Sequence, residues 1–100
     1  MEYVIQTQNS EVKCNLTGEL IFDDHINFRK MLGDAIKVGE GDVVFNLGGL
    51  EYVDSAGLGM FLVAKETIQE AKRNFYLEDA RGQVGSMLEL AKLQDVLRSR

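Results

Sequence analysis

The chain has 100 residues, 45% hydrophobic and 27% charged, with one cysteine, no proline, no tryptophan and a formal net charge of −5. That length holds one hydrophobic core and not two, and the apolar fraction excludes a disordered chain. No apolar run nears the roughly 18 residues that cross a bilayer, the lone cysteine excludes an internal disulfide, and the acidic balance argues against nucleic acid, whose binding demands clustered cations.

Tyr3 to Gln8 is rich in β-formers and predicts a strand, with Asn9-Ser10 as the turn after it. From Val12 the alternation is clean: Val12, Cys14 and Leu16 fall on one face, and Lys13, Asn15 and Thr17 on the other. The pattern predicts a half-buried strand in a hairpin with the first, and makes Cys14 a small core residue. Asp23-Asp24 offers a helix N-cap. Phe28, Met31, Leu32, Ala35 and Ile36 follow at helical spacing, one buried stripe of an amphipathic helix that Gly39-Glu40-Gly41-Asp42 ends. Val43 to Leu47 is a near-continuous apolar run, as in a strand central in a sheet. After the segment Gly48 to Asp54, a long helix is predicted over roughly 55–73, its core stripe being Met60, Val63, Ala64, Thr67, Ile68 and Ala71. Phe75 to Leu77 gives a short strand, and a last helix carries Val84, Met87, Leu88 and Ala91 on one face. The order β-β-α-β-α-β-α describes a mixed sheet with helices packed on it.

The least ordinary stretch is Asp54-Ser55-Ala56-Gly57-Leu58-Gly59. It places Asp-Ser where a helix begins and two glycines in the first turns, where each costs about 0.5–1 kcal/mol against alanine. Close approach of another backbone or of a partner is the usual reason for such glycines. Ser55 reads either as a plain N-cap or as an exposed, phosphorylatable serine, whose phosphate would add a charge of about −1.5 to −2. The positive end of the helix would tolerate that charge, so the penalty would fall on a partner docked over it. Leu58, Phe61 and Leu62 lie partly off the core stripe; either neighbouring loops cover them, or they form an apolar patch beside Ser55 that a partner covers. The acidity is uneven: residues 1–64 carry four Lys and Arg against ten Asp and Glu, and residues 65–100 seven against six, which reads first as solvated helix faces and second as an acidic surface that steers a basic partner.

The Asp54-to-Gly59 element resembles the signature of the STAS domains, specifically the bacterial anti-sigma factor antagonists. Leu16-Thr17-Gly18-Glu19-Leu20 resembles that family's second-strand motif, Val43 to Leu47 its third strand, and Ala80-Arg81-Gly82-Gln83-Val84 the start of its third helix. The resemblance implies an α/β fold: one STAS-like domain over residues 1–100, a mixed sheet of about four strands with three to four helices. It also implies a phosphorylation-controlled binding module of the cytoplasm. A partner serine kinase, often itself the anti-sigma factor, would phosphorylate Ser55, and a PP2C-type phosphatase would remove the phosphate. Asp54, Ser55, Ala56, Gly57, Leu58, Gly59, Phe61 and Leu62 would form the partner-binding set. Outputs in the family include sigma factors and biofilm or motility control; a monomer without cofactor is expected. The chain departs from the family's pattern at Asn46, where an Asp is common, at Gly48, and in Ile21 to His25 after the second-strand leucine. The last strand and helix of the family are expected to be short or missing.

An enzyme is the main rival class. Ser55 does not sit in a G-x-S-x-G elbow, since Val53 lies two residues before it. The only histidine, His25, stands thirty residues away beside Asp23 and Asp24, poorly matched to a Ser-His dyad. Gly48-Gly49 with Gly57 and Gly59 fits neither a dinucleotide fingerprint nor a P-loop. Asp23, Asp24, Glu51 and Asp54 have no metal-ligand spacing. A second rival is a constitutive STAS scaffold that never modifies its serine.

Overall fold

The computed structural model describes residues 1–98. Strands β1 (Glu2–Gln8) and β2 (Glu11–Leu20) form the antiparallel hairpin, in register from Glu2 opposite Thr17 to Gln8 opposite Glu11. Its two-residue turn, Asn9 and Ser10, has φ of 52° and 71°. Two positive φ values in a tight hairpin match the right-handed twist of the strands it joins. A 3-10 turn (Phe22–Asp24) leads into α1 (His25–Lys37), followed by β3 (Val43–Val53), α2 (Ser55–Glu70), β4 (Phe75–Glu78), α3 (Gly82–Leu90), a second 3-10 turn (Gln94–Val96) and β5 (Leu97–Arg98). The sheet order is β1-β2-β3-β4-β5, and every pairing after the hairpin is parallel. Each parallel step is bridged by a helix, as crossover connections require.

The sheet therefore has five strands. The fifth, Leu97–Arg98, is held by pairing with Leu77 and Glu78, so a strand does follow α3, where one was expected to be short or missing. β3 also runs past Leu47 to Val53, where the sequence suggests a separate segment. The glycine pair lies inside the strand. A Cβ on Gly49 would sit 2.7 Å from Cγ2 of Thr17, so the neighbouring strand leaves no room for a side chain. The final residues of the expected domain, 99–100, lie outside the described part.

One face of the sheet supplies Val12, Cys14 and Leu16 from β2, Val43, Phe45 and Leu47 from β3, and Phe75 and Leu77 from β4. Onto it pack Phe28, Met31, Leu32 and Ala35 of α1, Met60, Phe61, Ala64 and Ile68 of α2, and Val84 and Leu88 of α3. Four phenylalanines form its centre: Phe45 meets Phe28 at 5.8 Å and Phe75 at 5.0 Å between centroids, both edge-on. Alternate residues face the other way, and there Glu78 is fully buried. Lys13 Nζ approaches it at 2.8 Å and an Arg98 nitrogen at 3.0 Å, and the Asn46 amide donates to it at 3.2 Å. The same amide donates to Asp79 at 2.8 Å, so Asn46 bridges two carboxylates, which a third carboxylate at this position would repel. Arg98 also stacks over the Tyr76 ring, which ties β5 to β4 from its open face.

Cys14 lies fully buried in this core, and burial pushes its thiol up to about 12. The thiolate is the reactive species, so native protein should resist a thiol reagent near neutral pH. The same reagent should label Cys14 once denaturant exposes it, and mass spectrometry of the two samples checks this. Rapid native labelling would mean that β2 opens readily.

Candidate functional site

The site begins where β3 ends. Asp54 has extended backbone (φ −96°, ψ −177°) and stands at the N-cap of α2, its Oδ1 accepting the Gly57 N–H at 2.7 Å. Its Oδ2 accepts the Phe22 N–H at 3.1 Å, and its own N–H donates to the Leu20 carbonyl at 3.2 Å. One residue thus caps α2 and fastens the turn before α1 to it. Asp24, expected to cap α1, occupies the N-cap position but accepts the Ile21 N–H at 2.9 Å instead, closing the preceding 3-10 turn.

Because Asp54 caps the helix, Ser55 is the first helical residue and not the cap. Its side chain is exposed, and no hydrogen bond engages its hydroxyl among the described residues. The plain N-cap reading of Ser55 is thereby corrected. The first N–H groups of α2 have no intrahelical partner, and the helix dipole adds partial positive charge beside this hydroxyl.

The two glycines have different reasons. A Cβ on Gly57 would lie 2.5 Å from the Leu20 carbonyl oxygen and 2.5 Å from Cγ2 of Val53, so α2 sits against the ends of β2 and β3 only with glycine there. Gly57 is buried and serves packing, not surface contact. A Cβ on Gly59 would meet nothing within 4 Å. The expected docking patch is also redrawn. Phe61 is fully buried against Phe28 and Phe45, at 6.0 and 6.3 Å between ring centroids, so its side chain is not available to a partner. Val63, expected in the core stripe, is instead 54% exposed. Of the remaining set, Ala56, Leu58 and Gly59 are half-buried and Leu62 is 40% exposed.

Sequence reasoning missed two features. The Gln83 side chain pairs with the backbone of Val53, accepting its N–H at 3.0 Å and donating to its carbonyl at 2.8 Å. It thus mimics a strand partner and fixes the chain one residue before Asp54. A groove of about 460 Å³ also runs between α1 and α2, lined by Phe22, His25, Arg29 and Leu32 on one side and Ala56, Gly59, Met60 and Val63 on the other. Among the described residues no group of three or more His, Cys, Asp or Glu is placed to hold a metal ion, and no helix is long and apolar enough to cross a membrane.

A five-stranded mixed sheet with an exposed serine at the start of its second helix makes this a small α/β domain, and comparison specifies its family. Residues 4–98 match the family model described as "Mlab, STAS domain"; the chain belongs to the STAS domain family. It is 24% identical over 91 residues to an anti-sigma-B factor antagonist of Staphylococcus aureus, covering 91% of this chain and 84% of that one. Its fold is similar to the anti-sigma factor antagonist SpoIIAA in its unphosphorylated form, with a TM-score of 0.83 at 19% identity over 99% of this chain and 88% of that one. The phosphorylated form of SpoIIAA, a Bacillus cell fate determinant, superposes with a TM-score of 0.76 at 16% identity, over 99% and 91% of the two chains.

Proposed function

We propose that this protein is a phosphorylation-controlled binding regulator of the anti-sigma factor antagonist kind, acting as a cytoplasmic monomer, with Ser55 as its switch. The unphosphorylated form binds a partner serine kinase or anti-sigma factor, phosphorylation of Ser55 releases it, and a PP2C-type phosphatase resets the cycle. The observation that carries this reading is the division of labour at the helix start: Asp54 makes the cap, which leaves the Ser55 hydroxyl exposed and unengaged. A kinase can reach it without unfolding α2. A phosphate there gains from the helix dipole and is opposed by the Asp54 carboxylate, so the fold tolerates it while a docked surface does not. The output is a sigma factor or a process such as biofilm formation.

Intact-mass analysis of protein isolated from its native cells should find a phosphate increment that maps to Ser55. Ser55→Ala should keep partner binding and change stability by less than about 0.5 kcal/mol, since no contact of the hydroxyl is lost. Ser55→Asp should weaken partner binding about tenfold or more while the fold persists. Equal partner affinities for the two variants would remove the charge switch. An unmodified Ser55 under every growth condition would leave a constitutive scaffold. Hydrolysis of generic esters by the wild type but not by Ser55→Ala would favour an enzyme.

A further inference from the structure

The two edges of the sheet are unlike. At one, β5 is two residues long and carries the cation Arg98. At the other, β1 presents the seven residues Glu2–Gln8, with no proline, lysine or arginine among them and no bulge in their pairing with β2. Those are the devices that blunt an edge, and without them an open strand is a template for another strand. The hairpin fixes which backbone groups stand open. A two-residue turn is closed by a hydrogen-bonded pair, here Gln8 and Glu11, and bonded pairs then alternate along the ladder. The Val12 N–H agrees, since it turns away from β1 to donate to the Asp42 carbonyl at 2.8 Å. Glu2, Val4, Gln6 and Gln8 therefore bond to β2, while Tyr3, Ile5 and Thr7 point their N–H and carbonyl groups outward. Among the described residues, no hydrogen bond from elsewhere in the chain reaches those outward groups. The strand is also held at both ends, by the turn and by the Asn27 amide, which donates to the Met1 carbonyl at 2.9 Å. Little ordering is left to be done on binding.

We propose that β1 pairs antiparallel with β1 of a second copy of this chain, joining two five-stranded sheets into one. A second copy fits because the strand is complementary to itself when Ile5 is centred on its counterpart. Tyr3 of each copy then faces Thr7 of the other, so every outward N–H meets an outward carbonyl. Val4 lies opposite Gln6 and Glu2 opposite Gln8, so the one charged side chain of the strand meets a neutral amide. Sliding the pair by two residues in either direction leaves an outward residue with no strand residue opposite. The arrangement closes about a twofold axis and consumes the edge, so it stops at two copies. Two strands of seven residues bury less than the about 1,200–2,000 Å² of a stable interface. The pair is therefore a concentration-dependent state of the monomer that the partner cycle uses, and it draws on no property of Ser55.

Sedimentation equilibrium of the full chain from about 20 μM to about 1 mM should show monomer passing to dimer, with a dissociation constant on the order of 100 μM. Over the same range, amide hydrogen exchange should slow at Tyr3, Ile5 and Thr7 and change little at Val4 and Gln6, which β2 already holds. Thr7→Pro should fold, because its side chain is exposed and its N–H faces away from the sheet, yet stay monomeric at every concentration. Gln8→Glu, opposite Glu2 in the pair, should weaken pairing about fivefold, and Gln8→Lys should strengthen it about as much. Gln69→Lys, the same change of charge at an exposed position of α2, should leave pairing within about twofold. A chain that stays monomeric throughout, an assembly larger than two, slowed exchange outside β1, unaltered pairing in Thr7→Pro, or equal effects of the two Gln8 variants would each overturn the proposal. Exchange at Tyr3, Ile5 and Thr7 slowed only by an added protein from the native cells would overturn it in favour of a foreign strand.

Discussion

Gly57→Ala should destabilise the protein by about 2–3 kcal/mol, although alanine is the better helix former by about 1 kcal/mol. The added Cβ would be placed 2.5 Å from the Leu20 carbonyl oxygen, a backbone atom that cannot rotate away, and 2.5 Å from Cγ2 of Val53. Relief requires α2 to lift from the ends of β2 and β3. That movement stretches the 2.7 Å bond from the Gly57 N–H to Asp54 and the 3.1 Å bond from the Phe22 N–H to the same carboxylate. The cap and the turn before α1 therefore loosen together. Urea denaturation followed by circular dichroism should show a lower midpoint with an unchanged slope. Gly59→Ala is the control: with open space at that Cβ, it should raise stability by about 0.5–1 kcal/mol. Two alanines, two residues apart on one helix, should thus act with opposite signs. A neutral Gly57→Ala would mean that helix and strand ends are not in the close contact described.

Where sequence signals are local, they match the structure. The alternation of Val12, Cys14 and Leu16 needs only a sheet with one buried face, and the Asn9-Ser10 turn needs only its own two dihedral angles. Signals that depend on distant segments misled or stayed silent. Gly48-Gly49 reads as the start of a segment apart from the strand until Thr17 on β2 is brought alongside it. Leu97–Arg98 is too short to carry a pattern and becomes a strand because Leu77 and Glu78 offer it an edge. Helical spacing in α2 tells which residues share a face but not the angle at which that face meets the sheet. A rotation of part of a turn exchanges Phe61 for Val63 in the core. The division of work between Asp54 and Ser55 was equally illegible, since both residue types cap helices and only the extended backbone of Asp54 assigns the task. The groove requires α1 and α2 to lie side by side, and nothing in Phe22, His25 or Arg29 alone announces it.

Phe61→Ala should cost about 3–5 kcal/mol, the largest single effect expected at a residue that patterning left partly off the core stripe. Its ring packs edge-on to Phe28 of α1 at 6.0 Å and against Phe45 of β3 at 6.3 Å, so it joins both helices to the central strand. Truncation removes those aromatic contacts and leaves a void that close-packed neighbours fill only in part. Leu62→Ala, one residue along and 40% exposed, should stay within about 0.5 kcal/mol of the parent. The pair separates folding from docking. Total stability for a domain of this kind is about 5–15 kcal/mol, so the Phe61 variant retains only part of its margin, and any loss of partner binding it shows follows from the fold. A loss of binding in Leu62→Ala with an unchanged denaturation midpoint would instead place a partner directly on the outer face of α2. A Phe61→Ala protein as stable as the parent would mean that the aromatic cluster does not organise this core.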